Sequence, residues 1–571
     1  VTLHRLIVRA RPLLGVLLLS LICVACIDPN STGIQHNAAV ASAHPLATAA
    51  GMEILEAGGN AFDAAVAVSA VLAVVEPYSS GLGGGGFWLL HRARDGFQVM
   101  IDGREMAPQA ARRDMFLDRD GEVISGATVE GSLAAGIPGE PAALVHIARL
   151  YGRLPLKQSL EPAIRLAREG FLVDEHYRRM AELRLDALQD NTEAARIFLD
   201  AGAVPERGHR IVQLDLANTL YAIAERGNNG FYAGKVAEQL VDGVNTAGGI
   251  WSLDDLAIYK VVEREPVRGE YRGVTITSAA PPSSGGVALV EMLNMLSGYD
   301  LAGMDRADRI HVIVEAMRRA YRDRAEYLGD PNYVQVPVER LTSREYAAQL
   351  AATIDMKAAT PSAALPGPDA AQGGDDTTHF SVLDGDGNRV AGTLSINYPF
   401  GACVVPSGTG VLLNDEMDDF SAKPGVPNLY GLIGAEANAI APGKRPLSSM
   451  SPTFVENEHA VGILGTPGGS RIITMVLLGI LDFVDGTMPE SWVSLPRYHH
   501  QYYPDVLQYE AGAFDAKTLQ TLTAMGYNLE AHDTTWGNMQ AIYLDKRINR
   551  VLAASDPRGT GAAYVEKQSR K

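Results

Sequence analysis

The residues with the most chemistry to offer surround a threonine. Thr377 follows Gly373-Gly374-Asp375-Asp376 and opens the run Thr377-Thr378-His379-Phe380-Ser381-Val382. Upstream, residues 356–376 are rich in Ala, Pro and Gly and read as a flexible linker. Downstream, polar–apolar alternation, the turn Asp384-Gly385-Asp386-Gly387-Asn388 and a second strand-like run from Val390 to Asn397 read as a β-hairpin. A threonine hydroxyl is a poor nucleophile without a base beside it. If the Asp376–Thr377 bond were cut, Thr377 would begin a chain and its own α-amine, which titrates at about 7.7–8.0, could serve as that base. The hydroxyl could make the cut itself by attacking the Asp376 carbonyl, giving an ester that water hydrolyses. The plainer reading is that Thr377 and Thr378 merely start a strand, as β-branched residues do. His379 would project to the same strand face as Thr377 and offers a second candidate base.

Other constellations bear on this one. Arg104 follows the strand-like Val99-Met100-Ile101, and an arginine fork suits a carboxylate. Glu416 and Asp419, three apart, fall on one side if their turn is helical; otherwise they mark an exposed turn. Gly468-Gly469, after Pro467, could present two backbone N–H groups to one oxygen, or be a plain turn before a helix over 470–478. Ser80-Gly81-Leu82-Gly83-Gly84-Gly85-Gly86-Phe87 lacks the Lys-Ser/Thr of a phosphate loop, so it reads as close backbone packing before a strand over 87–91. His499-His500 have no obvious third partner and would point apart on a strand, which favours a structural role over a metal. Cys23, Cys26 and Cys403 give neither a disulfide framework nor zinc spacing, and Cys403 reads as a small packed residue in a strand or at its edge.

The elements that must hold these residues are helices and strands on both sides of position 377. Helices are expected over 46–57, from the Asn60 cap to Val75, and over 141–151, 162–170, 175–187, 218–226, 287–298 and 307–327. Strands are expected over 262–271, 274–278, 506–510 and 539–544, with a helix over 516–525. Length alone, 571 residues, suggests three or four domains, but this alternation fits one continuous core. A formal charge of −18 leaves no basic footprint for nucleic acid or an anionic membrane surface. Residues 1–25, with His4, Arg5, Arg9 and Arg11 ahead of an apolar run, read as a secretory signal. Ala25-Cys26 could be a lipoprotein junction, although Cys23 stands where such junctions usually carry Leu. The expected location is periplasmic or secreted, with Cys26 a candidate lipid anchor.

Five ordered segments resemble the γ-glutamyltranspeptidase family, the glutathione hydrolase proenzymes. They are Gly103-Arg104-Glu105-Met106-Ala107-Pro108, Thr377-Thr378-His379-Phe380, the run from Gly410 to Phe420, the run from Lys444 to Thr453, and Gly465 to Arg471. The resemblance implies an α+β fold, the four-layer αββα sandwich of the N-terminal-nucleophile hydrolases. It implies a large subunit (26–376) and a small subunit (377–571) cut from one precursor, a heterodimer with no cofactor and no metal. Thr377 is then the nucleophile with its α-amine as base, preferred over His379. Arg104, Ser448 and Ser449 face the substrate α-carboxylate, while Asn397, Glu416 and Asp419 face its α-ammonium. Gly468 and Gly469 form the oxyanion hole, and Ser395 stands where many members have threonine. Residues 423–444 resemble a pocket-covering loop with Tyr430 as its aromatic, a loop that cephalosporin (glutaryl) acylases of the family lack. The implied reaction passes a γ-glutamyl group from glutathione or a related compound to water, an amino acid or a dipeptide. The alternatives are a glutaryl or cephalosporin-type acylase of the same fold, or a non-catalytic secreted binding protein.

Overall fold

A computed structural model describes residues 35–365 and 377–567. The signal segment 1–25, Cys26, Asp376 and the second half of the linker lie outside the described residues. Two antiparallel sheets stack face to face. The first has seven strands in the order Ala562–Val565, Ala39–Ser42, Thr378–Leu383, Arg389–Ser395, Gly85–Arg92, Phe97–Gly103, Val262–Arg264. The second has six, in the order Arg550–Ser555, Gln540–Asp545, Ala460–Gly465, Thr453–Glu456, Val274–Ser278, Val267–Tyr271.

Strand periodicity sends alternate side chains to opposite faces, and both faces of the first sheet are apolar. Val40, Trp88, Leu90, Val382 and Val390 pack under the helices Pro45–Glu56, Ala61–Val75, Glu140–Leu150 and Leu156–Glu169. Ala39, Ala41, Phe87, Leu89 and Ala391 face the second sheet, whose other side carries Gly285–Leu296, Arg306–Tyr327 and Ile472–Val484. The result is four layers, helix–sheet–sheet–helix, and the residues from His36 onward form one compact unit rather than three or four domains. The helix Ala61–Val75 is buried on every side, and Asn60 opens it with a reciprocal capping box to Asp63.

Several boundaries differ from the sequence expectation. The strand expected over 262–271 breaks at Pro266: Val262–Arg264 joins the first sheet and Val267–Tyr271 the second, because proline cannot donate to a ladder. The helix expected from Pro162 starts at Leu156 and contains that proline, its buried stripe of Leu160, Ala163, Ile164 and Ala167 outweighing the lost hydrogen bond. The helix over 175–187 divides at Arg184. Cys403 is buried as expected, but in a turn with φ of 55° rather than in a strand. The first part of the linker is docked: Ser362 is buried, its N–H donates to Asp505 Oδ2 at 2.7 Å and its hydroxyl to the Tyr502 carbonyl at 2.6 Å.

Candidate active site

Thr377 stands one residue ahead of the strand Thr378–Leu383, buried between the sheets' ends. That strand pairs with Arg389–Ser395 so that Thr393 opposes His379 and Leu394 opposes Thr378. One further step of the same register sets Ser395 opposite Thr377, and Cβ atoms of such pairs lie about 4.5–5.5 Å apart. Alternation turns Thr378 to the helical side, where its hydroxyl donates to Glu76 Oε2 at 2.7 Å, just past the end of the helix Ala61–Val75. Burial pushes the Glu76 carboxyl up to about 7 against the lowering effect of that hydrogen bond.

A pocket of about 280 Å³ is lined by Thr377, Ser395, Asn397, Arg104 and Asp419. Tyr430, Ser448, Ser449 and Gly469 complete its wall. Of the expected site residues, Glu416 lies just behind, bonded to Arg104. Gly468 lines a second, larger cavity of about 1190 Å³ that also reaches Thr377.

Arg104 leaves the strand Phe97–Gly103 and is buried. It donates to Glu416 Oε2 at 2.5 Å and to Asp419 Oδ2, with Glu105 Oε2 3.5 Å away. Glu416 and Asp419 share one face because Glu416–Asp419 forms a turn of 3₁₀ helix. Burial works against the charge of Arg104, and Glu416, Asp419 and Glu105 more than offset it. Burial also raises Glu416 to about 7, with Arg104 opposing and Asp419 reinforcing the rise, and lifts Glu105 well above the usual carboxylate range. The groups expected to face opposite charges of a substrate thus pair with each other.

The glycine run positions the acidic turn. The Gly83 carbonyl accepts from Asn414 Nδ2 at 2.6 Å, and Asn414 Oδ1 accepts the Glu416 N–H at 2.9 Å. A Cβ on Gly83 would run into the Leu412 carbonyl, so only glycine permits this approach. Asn397 takes φ of 75°; its N–H donates to Ser395 Oγ at 2.8 Å and its carbonyl accepts the Tyr430 hydroxyl at 2.7 Å. Tyr430 is thereby pinned over the pocket by the very turn that carries Asn397. Gly468 and Gly469, at φ of 134° and 52°, lead through a 3₁₀ turn into the helix Ile472–Val484. A helix start of this kind offers unpaired N–H groups and a partial positive charge to a developing oxyanion.

His379 is withdrawn from the chemistry. It is fully buried, its Nδ1 lies 2.8 Å from Thr393 Oγ1, and burial lowers its pKa to about 3. His499 pairs with Thr474 and Gln501, and His500 with Asp505. Among the described residues no group of three or more His, Cys, Asp or Glu could hold a metal ion. Sequence reading missed Glu105, Glu76 and Arg324. Glu76 and Arg324 stand in elements read as helical scaffold, and Glu105 stands beside Arg104 in a segment quoted for its resemblance but with no role of its own; their three-dimensional contacts tie them to the site.

The family model described as gamma-glutamyltranspeptidase matches residues 47–566. The chain belongs to the γ-glutamyltranspeptidase family. It is 44% identical over 525 residues to the glutathione hydrolase proenzyme of Escherichia coli, covering 91% of this chain and 90% of that protein. It is 38% identical over 515 residues to an acylase ACY 1 proenzyme of a Pseudomonas species, covering 88% and 89%. Among solved structures, a cephalosporin acylase from Bacillus halodurans superposes with a TM-score of 0.82 at 29% identity, over 93% of this chain and 96% of that one. Family membership and the stacked sheets agree with the fold that the sequence resemblance implied.

Proposed function

We propose that the protein is a self-processing γ-glutamyltranspeptidase and glutathione hydrolase with Thr377 as its nucleophile. The observation that carries this reading is one pocket holding Thr377, Arg104, Asp419, Asn397, Ser448 and Ser449. A γ-glutamyl group bears a carboxylate and an ammonium on one carbon. Arg104 and the two serines suit the first; Asn397, Asp419 and Glu416 suit the second. Maturation starts when Thr377 Oγ attacks the Asp376 carbonyl. The C–N bond breaks, the nitrogen becomes the Thr377 α-amine, and water hydrolyses the ester.

In turnover the α-amine takes the Thr377 hydroxyl proton as Oγ attacks the γ-carbonyl. Gly468 and Gly469 N–H groups hold the oxyanion, a service commonly worth about 3–4 kcal/mol per donor. The proton then passes to the departing amine, leaving a γ-glutamyl ester on Thr377. Water, an amino acid or a dipeptide attacks that ester, and the α-amine deprotonates it. The larger cavity reaching Thr377 gives the leaving amine and the acceptor a route. Export, with residues 1–25 removed and Cys26 as a lipid anchor, belongs to the same reading; mass analysis of the natural amino terminus tests it.

The acylase reading is tested beside this one. Rates on γ-glutamyl and glutaryl anilides are compared; the two differ only by the α-ammonium. The proposal expects a preference of 100-fold or more, on the order of a buried charge-assisted contact, for the γ-glutamyl compound. Equal rates, or a preference for glutaryl, would replace it with the acylase reading.

A further inference from the structure

Among the described residues, Arg324 is a buried cation with no carboxylate in ion-pair contact. It lies near the end of the helix Arg306–Tyr327, only 5% exposed. No carboxylate of the described residues comes within 4.0 Å of it. Arg318, Arg319, Arg389, Arg445 and Arg497 are buried to a similar degree, and each holds a carboxylate. Arg104, across the pocket wall, is crowded by three. Burying an unpaired charge is costly, and a protein that retains one beside a pocket is built to receive the opposite charge there.

The contacts of Arg324 show where that charge belongs. Its Nε donates to Ser284 Oγ at 3.0 Å and its terminal nitrogen to Ser449 Oγ at 3.2 Å. Ser284 in turn donates its hydroxyl to the Ser448 carbonyl at 2.7 Å. The guanidinium therefore grips the Ser448–Ser449 turn at two points. A hydroxyl that accepts from an arginine keeps its proton for another acceptor. Ser449 is in that state, and Ser448 Oγ likewise accepts, from the backbone N–H of Met450 at 3.1 Å. Both hydroxyls are left as donors toward the pocket they line. Burial draws the Arg324 guanidinium down from its ordinary pKa; Tyr321 and Asp419 oppose this and Arg104 adds to it, which places the residue in the field of the same pocket.

We propose that Arg324 is the positioning residue for the substrate α-carboxylate: it polarises Ser449 and fixes Ser448, and it supplies the net positive charge that Arg104, already neutralised, does not. This rests on the γ-glutamyl reading above and names a further determinant of it.

The test uses three anilides: γ-glutamyl, 4-aminobutyryl, which lacks only the α-carboxylate, and glutaryl, which lacks only the ammonium. Cleavage into two chains on a denaturing gel checks folding. Arg324→Gln is expected to raise KM for the γ-glutamyl anilide about 10- to 100-fold, the range of a charge-assisted hydrogen bond. The 4-aminobutyryl rate should change little, and Arg324→Lys should fall between. Equal losses on both anilides, or a fall confined to kcat, would mean a merely structural role and overturn the proposal. If Arg324→Gln fails to cleave itself, Ser284→Ala takes its place, since it frees one grip and keeps the charge. A several-fold rise in KM for the γ-glutamyl anilide alone supports the proposal, and an unchanged KM overturns it. Wild-type protein that does not prefer γ-glutamyl to 4-aminobutyryl would instead defeat the underlying functional reading, so the two failures are distinct.

Discussion

At the scale of single residues, two hydroxyls beside Thr377 divide the work. Ser395, opposite Thr377 by register, anchors the Asn397 N–H at 2.8 Å and lines the same pocket. Removing it in Ser395→Ala should slow self-cleavage about tenfold, the worth of one hydrogen bond, followed as two bands over time on a gel. Ser395→Thr keeps the hydroxyl, adds a methyl and should keep the rate within a few-fold; a slower Ser395→Thr would mean the site is fitted to serine. Thr378 is tied to Glu76, whose folded pKa is raised from 4.5 to about 7 by burial. The stability of this buried, neutral carboxyl is fully present below about 4.5 and is lost as pH rises through about 7. The loss is roughly 3 kcal/mol. Glu76→Gln keeps an acceptor for Thr378 without the charge. Its thermal midpoint should gain on the wild type steadily from pH 4.5 to about 8 and then level off; a difference independent of pH would contradict the assignment. Thr377, Arg104, Glu416 and Asp419 were singled out in the sequence because they lie in segments that resemble the γ-glutamyltranspeptidase family. Arg324 was not, because one arginine among many in a helix has no local mark of its burial.

At the scale of elements, the site depends on backbone approach more than on regular structure. The acidic turn Glu416–Asp419 reaches Arg104 because Asn414 caps the Gly83 carbonyl, and the Leu412 carbonyl fills the space of a side chain at Gly83. Gly83→Ala must push those strands of chain apart. It should cost more than about 3 kcal/mol and leave the precursor uncut, read as a lowered midpoint and a single band. Cleavage at the normal rate would show that the acidic turn is held some other way. The hairpin at 384–388 was readable because the Asp-Gly and Gly-Asn steps announce the turn. The break at Pro266 and the docking of Ser362 were not. Composition marks a linker, but only the Asp505 carboxylate waiting 2.7 Å from the Ser362 N–H shows that its first half is held.

At the scale of the whole molecule, both sheets are built from chain on either side of position 377. Ala39–Ser42 lies between Thr378–Leu383 and Ala562–Val565, and Val274–Ser278 pairs with Thr453–Glu456. A cut ahead of Thr377 therefore leaves two pieces sharing one core. They should co-elute on a sizing column in high salt and part only in denaturant, since the contact is a sheet and its apolar faces rather than exposed ion pairs. Separation by salt alone would contradict the interleaving. One continuous core was legible in the alternation of helix and strand on both sides of position 377, and the four layers only through the family resemblance; the strand order was not legible, because pairing partners lie hundreds of residues apart.

We propose that Thr377 becomes reactive by becoming the first residue of its chain. Intact-mass and terminal-sequence analysis of active protein tests it directly. Two chains are expected, the smaller beginning at Thr377 with a free α-amine, and Thr377→Ala should give one uncut, inactive chain. Full activity from a backbone that runs unbroken from Asp376 into Thr377 would contradict the account.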